Sequence, residues 1–215
     1  MPDRLRRFRN PSPRIISLIK VVVFLLCLLP VGHMAWGIYT DNLGANPVEY
    51  ITRGTGDWVL RFLLITLAIT PLRKLTGLPW LVRLRRMLGL FAFFYVVLHL
   101  ITYLWLDQSF DWQAIVKDIV KRPFITVGFA AFVLMTPLAV TSTNAMIRRL
   151  GGKRWQALHR AIYAIGVLGV VHYWWLVKRD ISEPLMYAAI LAVLLGLRVW
   201  WKWQEKRGIR RSVVS

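Results

Sequence analysis

RRMLGLFAFFYVVLHLITYLWL, residues Arg85 to Leu106, decides the fold class. Two arginines open it, and the twenty residues from Met87 to Leu106 carry no formal charge. As an α-helix they span about 30 Å, the thickness of a bilayer's hydrocarbon core. Only a helix or a closed barrel satisfies its backbone in lipid, and an unbroken apolar run without strand-like alternation predicts the helix.

Working outward, comparable runs occupy Ile15 to Tyr39, Phe124 to Val140, Ala161 to Val177 and Pro184 to Trp201. A shorter one, Trp58 to Leu72, carries Arg61 near one end and can borrow length from Ile51 to Gly56. The connecting charges argue that it crosses too. Basic segments (Arg4, Arg6, Arg7, Arg9, Arg14; Arg73, Lys74, Arg83, Arg85, Arg86; Arg148, Arg149, Lys153, Arg154; Lys202, Lys206, Arg207, Arg210, Arg211) alternate with balanced ones. The balanced segments are Arg53 among Asp41, Glu49 and Asp57; Lys117, Lys121 and Arg122 against Asp107, Asp111 and Asp118; and Lys178 and Arg179 against Asp180 and Glu183. Positively charged loops stay inside, so the alternation holds only with six crossings and both termini in the cytoplasm. A second run that folded back would break it. The expected fold is all-α: a polytopic bundle of six transmembrane helices over residues 15–203, between a basic N-terminus (1–14) and a basic tail (204–215).

Composition agrees. Of 215 residues 57% are hydrophobic, and the mean hydropathy is +0.50, beyond the usual range of a water-soluble domain. A net charge of +19 would suggest nucleic acid in a soluble protein, but here the basic residues lie between apolar runs, so no nucleic-acid partner is expected. Tryptophans at run ends, such as Trp58, Trp105, Trp174 and Trp201, form an interfacial belt. The Arg-rich start precedes an apolar stretch of about 25 residues, longer than a signal peptide's core, and reads as a first membrane anchor. The single cysteine, Cys27, excludes an intrachain disulfide and any thiolate cluster or zinc site. Redox chemistry here would rest on histidine.

There are four histidines: His33, His99, His159 and His172. An ionisable group within a span is costly and so a functional candidate. His99 stands roughly 20 Å above the cytoplasmic start of its run and His172 roughly 18 Å above its own. Two imidazoles at matching depth on different helices suit the axial positions of a six-coordinate haem iron; plain hydrogen bonding within the bundle is the alternative. His159, 13 residues before His172, lies about 20 Å lower, at a height suited to a second cofactor, haem or flavin. On one ideal helix the two side chains would diverge by roughly 140°, which calls for a local distortion. Gly166 and Gly169, between them, can host that distortion, admit a flat macrocycle, or mark a close helix contact. His33 has no assignable partner and reads as an interfacial histidine.

Arg61 is placed for a carboxylate at the depth of the upper site, such as a haem propionate, or for lipid phosphate. Arg85, Arg86 and Arg160 cluster near His159, where they can hold propionates or a flavin phosphate, or serve only as inside charge. No Walker loop, nucleophile triad, CxxC or GxGxxG is present, so electrons must arrive from a partner or a quinol.

Three segments carry a family resemblance: GTGDWVLRFLLITLAITPLRK from Gly54, RRMLGLFAFFYVVLHLITYLWL from Arg85, and TSTNAMIRRLGGKRWQALHRAIYAIGVLGVVHYWWLVK from Thr141 to Lys178. Together they closely resemble the MsrQ (YedZ) family, haem-binding membrane subunits of periplasmic methionine sulfoxide reductase systems, in the ferric reductase-like transmembrane superfamily. The resemblance runs from about Leu43 to Trp201. It implies a b-type haem on His99 and His172, with His159 at a second, cytoplasmic-side position and FMN as a possible cofactor. It implies a bacterial inner-membrane location and electrons passing from the quinone pool or a cytoplasmic flavin reductase to MsrP, a periplasmic molybdopterin subunit that reduces methionine sulfoxide in oxidised proteins. The chain would then be an electron-transfer subunit without catalysis of its own. It departs from the wider superfamily's two histidines on each of two helices, because Arg85 and Arg86 stand 14 and 13 residues before His99. A guanidinium cannot ligate iron. The lower site therefore takes another ligand, a five-coordinate haem or a flavin. The competing readings are a haem-free proton or solute transporter relaying protons through its histidines, and a structural membrane anchor.

Overall fold

The computed structural model describes residues 9–177 and 180–214, with side chains as far as Arg207. Arg4, Arg6, Arg7, Lys178 and Arg179, counted above, lie outside the described residues. The described chain is helical throughout, without a strand.

Helix α1 (Pro13–Tyr39) starts on Ser12, whose hydroxyl caps the amide of Ile15, with Pro13 in the first turn where its missing N–H costs nothing. Helix α2 (Pro47–Thr76) starts in the same way on Asn46 and Pro47 and stops at Gly77, whose φ of 68° is the left-handed conformation of a helix end. A 3-10 turn at Pro79–Leu81 leads into α3 (Val82–Ile101), which continues as a π-helical segment over Thr102–Asp107. Next come α4 (Trp112–Lys121), α5 (Pro123–Val140), α6 (Asn144–Leu150), α7 (Gly152–His159), α8 (Ala161–Leu176) and α9 (Ser182–Val214).

Four of the expected crossings lie in helices long and apolar enough to span: Pro13–Tyr39, Pro79–Asp107, Pro123–Val140 and Ser182–Arg207. The other two depart from that standard in different ways. α8 has 16 residues, about 24 Å of helix, which is short of a full crossing even without tilt. α2 has 30 residues, but Glu49, Arg53, Asp57 and Arg61 line its first half. It is one unbroken helix, so the run from Trp58 continues the preceding residues without a turn. The segment between the third and fourth runs is more than a balanced loop. α4 buries Ile115 while Trp112, Val116 and Val120, spaced four apart, face outward.

α2 and α3 form the centre, joined by a ladder of aromatic rings. Phe62 stacks on Tyr95 at 5.2 Å and on Phe91 at 5.9 Å between ring centres, and Leu63, Leu67 and Ile165 are almost wholly buried around them. On α1, Leu18, Leu25 and Leu29 are more than half exposed. Such a surface is stable in lipid and prone to aggregation in water.

Tyr95 does more than fill space. Pro30 interrupts α1, and beside it the Tyr95 hydroxyl accepts from the Val31 amide at 3.2 Å and donates to the Cys27 carbonyl at 2.9 Å. That amide and carbonyl are an i, i−4 pair, so the hydroxyl bonds both groups of one rung of α1 beside the proline. Tyr95→Phe would remove both bonds in an apolar setting, at a cost of about 1–3 kcal/mol. The expected outcome is a thermal midpoint several degrees lower in the same detergent, measured by circular dichroism, with the helical spectrum retained.

Candidate metal centre

Four helices converge on two imidazoles. His99, near the end of α3, turns its Nδ1 to the carbonyl of Thr52 on α2 at 2.9 Å, and His172 on α8 turns its Nδ1 to the carbonyl of Phe124 on α5 at 2.6 Å. A carbonyl only accepts, so each Nδ1 carries the proton and each Nε2 is left with its lone pair. The Thr55 hydroxyl, 3.3 Å from the same Nδ1 of His99, is already donating to the Ile51 and Thr52 carbonyls. Holding one ring nitrogen on a carbonyl is how proteins fix the tautomer and direction of a metal-binding histidine.

The two ring centres are 6.2 Å apart with their planes at 79°. A metal–imidazole bond of about 2.0 Å, with the ring centre about 1.1 Å beyond the nitrogen, puts two rings that face one ion from opposite sides about 6.2 Å apart. The separation of the ring centres matches that span. Among the described residues no group of three or more His, Cys, Asp or Glu side chains is placed to hold a metal. Two imidazoles alone suit an ion whose other ligands belong to a macrocycle.

Each ring is backed by a glycine that sequence reading did not single out. A Cβ at Gly128, one turn beyond Phe124 on α5, would sit 2.7 Å from Nδ1 and 2.8 Å from Cε1 of His172. A Cβ at Gly56, one turn beyond Thr52 on α2, would sit 3.1 Å from Cε1 of His99. In both cases one helix face supplies the carbonyl that orients the ring and the bare backbone that lets it approach. The sequence signal for this, a glycine four residues after the accepting residue, becomes visible only once each histidine's partner helix is known. The Thr52 hydroxyl is buried without a hydrogen-bond partner beside this site, a polar atom suited to the edge of a bound group. The π-helical widening of α3 begins three residues after His99, and such segments are frequent at functional sites.

The remaining histidines stay apart from the pair. His159 ends α7, its ring stacked on Trp155 at 3.9 Å between centres. The Thr141 hydroxyl donates to the Pro137 carbonyl, so it accepts from Nε2 of His159 at 3.1 Å, leaving Nδ1 as the bare nitrogen. Burial first, and then the neighbouring Arg85 guanidinium, lowers the pKa of His159 below the ordinary value of 6.5 and keeps the ring neutral. The distortion required between His159 and His172 falls at Arg160, where one helix ends and the next begins. Gly166 and Gly169 play no part in it: they receive Leu191 and Leu67, and Leu60 and Leu63, and act as close helix contacts. Arg85, Arg86 and Arg160 make no ion pair among the described residues. Arg198 on α9, absent from the expected set, bonds the carbonyls of Leu194 and Leu67 and so ties α9 to α2. Arg61 donates to the Tyr187 hydroxyl at 3.1 Å and faces Asp57 at 4.0 Å, with its side chain partly exposed. His33 is exposed on α1, at the mouth of a cleft against α2.

The profile of the ferric reductase like transmembrane component family matches residues 54–170. A protein of Herminiimonas arsenicoxydans, named protein-methionine-sulfoxide reductase heme-binding subunit MsrQ, is 59% identical over 199 residues, covering 92% of this chain and 91% of its own length. The chain belongs to the MsrQ family. MsrQ proteins of the same printed name from Azospira oryzae and Rhodospirillum rubrum are 63% and 57% identical over 191 and 180 residues, covering 88% and 84% of this chain and 82% and 86% of theirs. Membership of this transmembrane family, together with the apolar helices, makes the chain a multi-pass membrane protein. The profile match covers the positions of Gly56, His99, Gly128 and His159 and ends two residues before His172.

Proposed function

We propose that this chain is a transmembrane b-type cytochrome that holds haem between His99 and His172 and delivers electrons to a periplasmic molybdopterin methionine sulfoxide reductase, MsrP. The observation that carries the reading is the pair of imidazoles 6.2 Å apart, each with Nδ1 on a backbone carbonyl and Nε2 free. The relatives' printed name, heme-binding subunit of a protein-methionine-sulfoxide reductase, supports both the cofactor and the system. When bound, haem supplies one-electron exchange at a potential set by its axial ligands and burial.

His99 and His172 hold the iron, Thr52 and Phe124 orient them, and Gly56 and Gly128 make room. His159, with Nδ1 bare and Arg85 close by, is the residue for a second, cytoplasmic-side cofactor, haem or FMN. Six crossings of the bacterial inner membrane over residues 15–203, with both termini cytoplasmic, follow from the charge alternation; α2 crosses as one continuous helix, and α8 crosses where the bilayer thins around it. The donor is quinol or a cytoplasmic flavin reductase.

The test uses purified full-length protein. Extraction should yield at least one b haem per chain, and the dithionite-reduced α-band should disappear on addition of MsrP with methionine sulfoxide. A reduced spectrum that is unchanged by that addition would refute the proposed acceptor. A colourless protein from haem-replete cells would favour the proton or solute transporter.

A further inference from the structure

We propose that α4 is an interfacial helix lying along the phospholipid surface at the periplasmic end of the bundle, with Trp112, Val116 and Val120 among the acyl chains and Lys117 and Lys121 at the phosphates. This goes beyond the function above and needs no cofactor; it takes from that reading only which side is periplasmic.

Three sectors divide the helix. At 100° per residue Ile115 and Ile119 share one face, Trp112, Val116 and Val120 the next, and Gln113, Lys117 and Lys121 the one beyond. Ile115 is 4% exposed, whereas Trp112, Val116 and Val120 are 63%, 60% and 76% exposed. The apolar arc is therefore wider than the protein covers. An uncovered apolar stripe edged by cations is what a helix lying in the interface presents to lipid.

Charge chooses what meets the stripe. Asp111 is engaged in capping, its carboxylate accepting from the amides of Gln113 and Ala114 at 3.0 and 3.1 Å. Asp118 is turned towards the protein, where it pairs with Arg122 at 3.3 Å and accepts from the Gln108 amide at 3.5 Å. Beside the stripe stand Lys117 and Lys121, both exposed and without an ion pair among the described residues. Two cations along one edge of an apolar stripe, with no carboxylate between them, match phosphates above acyl chains. Lysine's long stem lies along the apolar surface while its ammonium stays at the headgroups. Trp112, at the start of the helix, is a residue type that favours the same boundary.

The chain holds α4 where that boundary falls. It follows the apolar run of α3, whose π-helical continuation ends at Asp107, and it packs against α5, where the Thr126 hydroxyl donates to the Ile119 carbonyl. α5 leaves Phe129, Val133 and Leu134 exposed, so the helix that α4 leans on is itself lipid-facing. The two ends of α4 matter for the paired imidazoles. Gln108, which bonds Asp118, continues the helix that carries His99, and Phe124, three residues beyond α4, supplies the carbonyl that orients His172. A lipid seat for α4 steadies both.

The experiment uses the full-length protein in nanodiscs of phosphatidylcholine and phosphatidylglycerol, in a Cys27→Ala background, with one nitroxide at a time on Val116→Cys, Lys117→Cys, Val120→Cys or Lys121→Cys. Collisions with oxygen and with nickel-EDDA, read by EPR, give the depth of each label. Labels at positions 116 and 120 should lie about 5–10 Å below the phosphates, and those at 117 and 121 at or above them. All four sites are exposed, so the labels displace no packed neighbour. If Cys27→Ala fails to fold, the parent serves as background, because its one cysteine is buried. Labels at 116 and 120 that meet nickel-EDDA as freely as those at 117 and 121 would place the stripe in water, open to a soluble protein, and overturn the proposal. Four equal depths within the hydrocarbon would overturn it as well. The readings need no haem, so a colourless protein would count against the proposed function and leave this test intact.

Discussion

Replacing His99 or His172 by alanine is expected to remove the haem: the purified variants should lose the sharp reduced bands of the parent, while His33→Ala keeps them. The expected effect is large because, in the proposed site, each imidazole supplies one of only two protein bonds to the metal, and nothing nearby can take its place. Around His99 the polar atoms are carbonyls already bonded, and the hydroxyls of Thr52 and Thr55; around His172 the near neighbours are the Phe124 ring and Gly128. None of these is a good ligand for haem iron. The loss should be equal for the two variants, since a six-coordinate site is symmetric in its axial bonds. Haem per chain, measured as the pyridine haemochrome, checks this. Retention of more than half of the parent's haem in either variant would mean that the iron takes its ligands elsewhere. His33 is exposed at the α1–α2 cleft, so its removal touches neither axial bond.

Gly128→Ala is expected to disturb the paired rings more than a methyl added at any other described glycine. The added carbon would lie 2.7 Å from Nδ1 and 2.8 Å from Cε1 of His172, closer than carbon and nitrogen approach without a bond. Relief requires the ring to move, yet its Nδ1 is fixed to the Phe124 carbonyl at 2.6 Å on the same helix as the intruding methyl. Either that hydrogen bond breaks or α5 and α8 separate. Overpacking of this kind costs about 1–3 kcal/mol, which corresponds to a drop of about 5- to 150-fold in haem affinity if it falls on the bound geometry. Gly56→Ala is expected to be milder, because its nearest atom in His99 is 3.1 Å away and a few tenths of an ångström suffice. Haem titration of the two apoproteins, with the reduction potential of any holoprotein recovered, measures both. Equal affinities for Gly128→Ala and the parent would show that the glycine is mere packing. A shifted potential at near-normal haem content would identify it as a residue that sets the ring's angle.

Much of this was legible in the sequence, and the reasons differ between elements. The helical class and the four strongest spans follow from run length, because lipid leaves the backbone few alternatives. The pairing of His99 with His172 follows from depth alone, since a rise of 1.5 Å per residue turns sequence position into height. What periodicity cannot supply is azimuth. The carbonyls of Thr52 and Phe124 and the gaps at Gly56 and Gly128 belong to helices whose rotation is set by tertiary packing, so they emerged only from the structure. Of the three roles open to Gly166 and Gly169, close helix contact is the one the structure shows, and the bend between His159 and His172 falls at Arg160; glycine spacing alone does not separate a bend from a contact. α4 was hidden for another reason. Its ten residues are balanced in charge and short, so charge counting reads them as a loop, while Trp112, Val116 and Val120 at four-residue spacing record the helix.

The central claim is that one iron lies between His99 and His172. Low-temperature EPR of the oxidised, purified protein addresses it most directly, because two neutral imidazoles make ferric haem low-spin, and ring planes held near the 79° seen here give a strongly anisotropic low-spin signal. That signal is expected in the parent and is expected to be absent from His99→Ala and His172→Ala. A high-spin, five-coordinate spectrum from the parent, or a low-spin signal that survives either substitution, would contradict it.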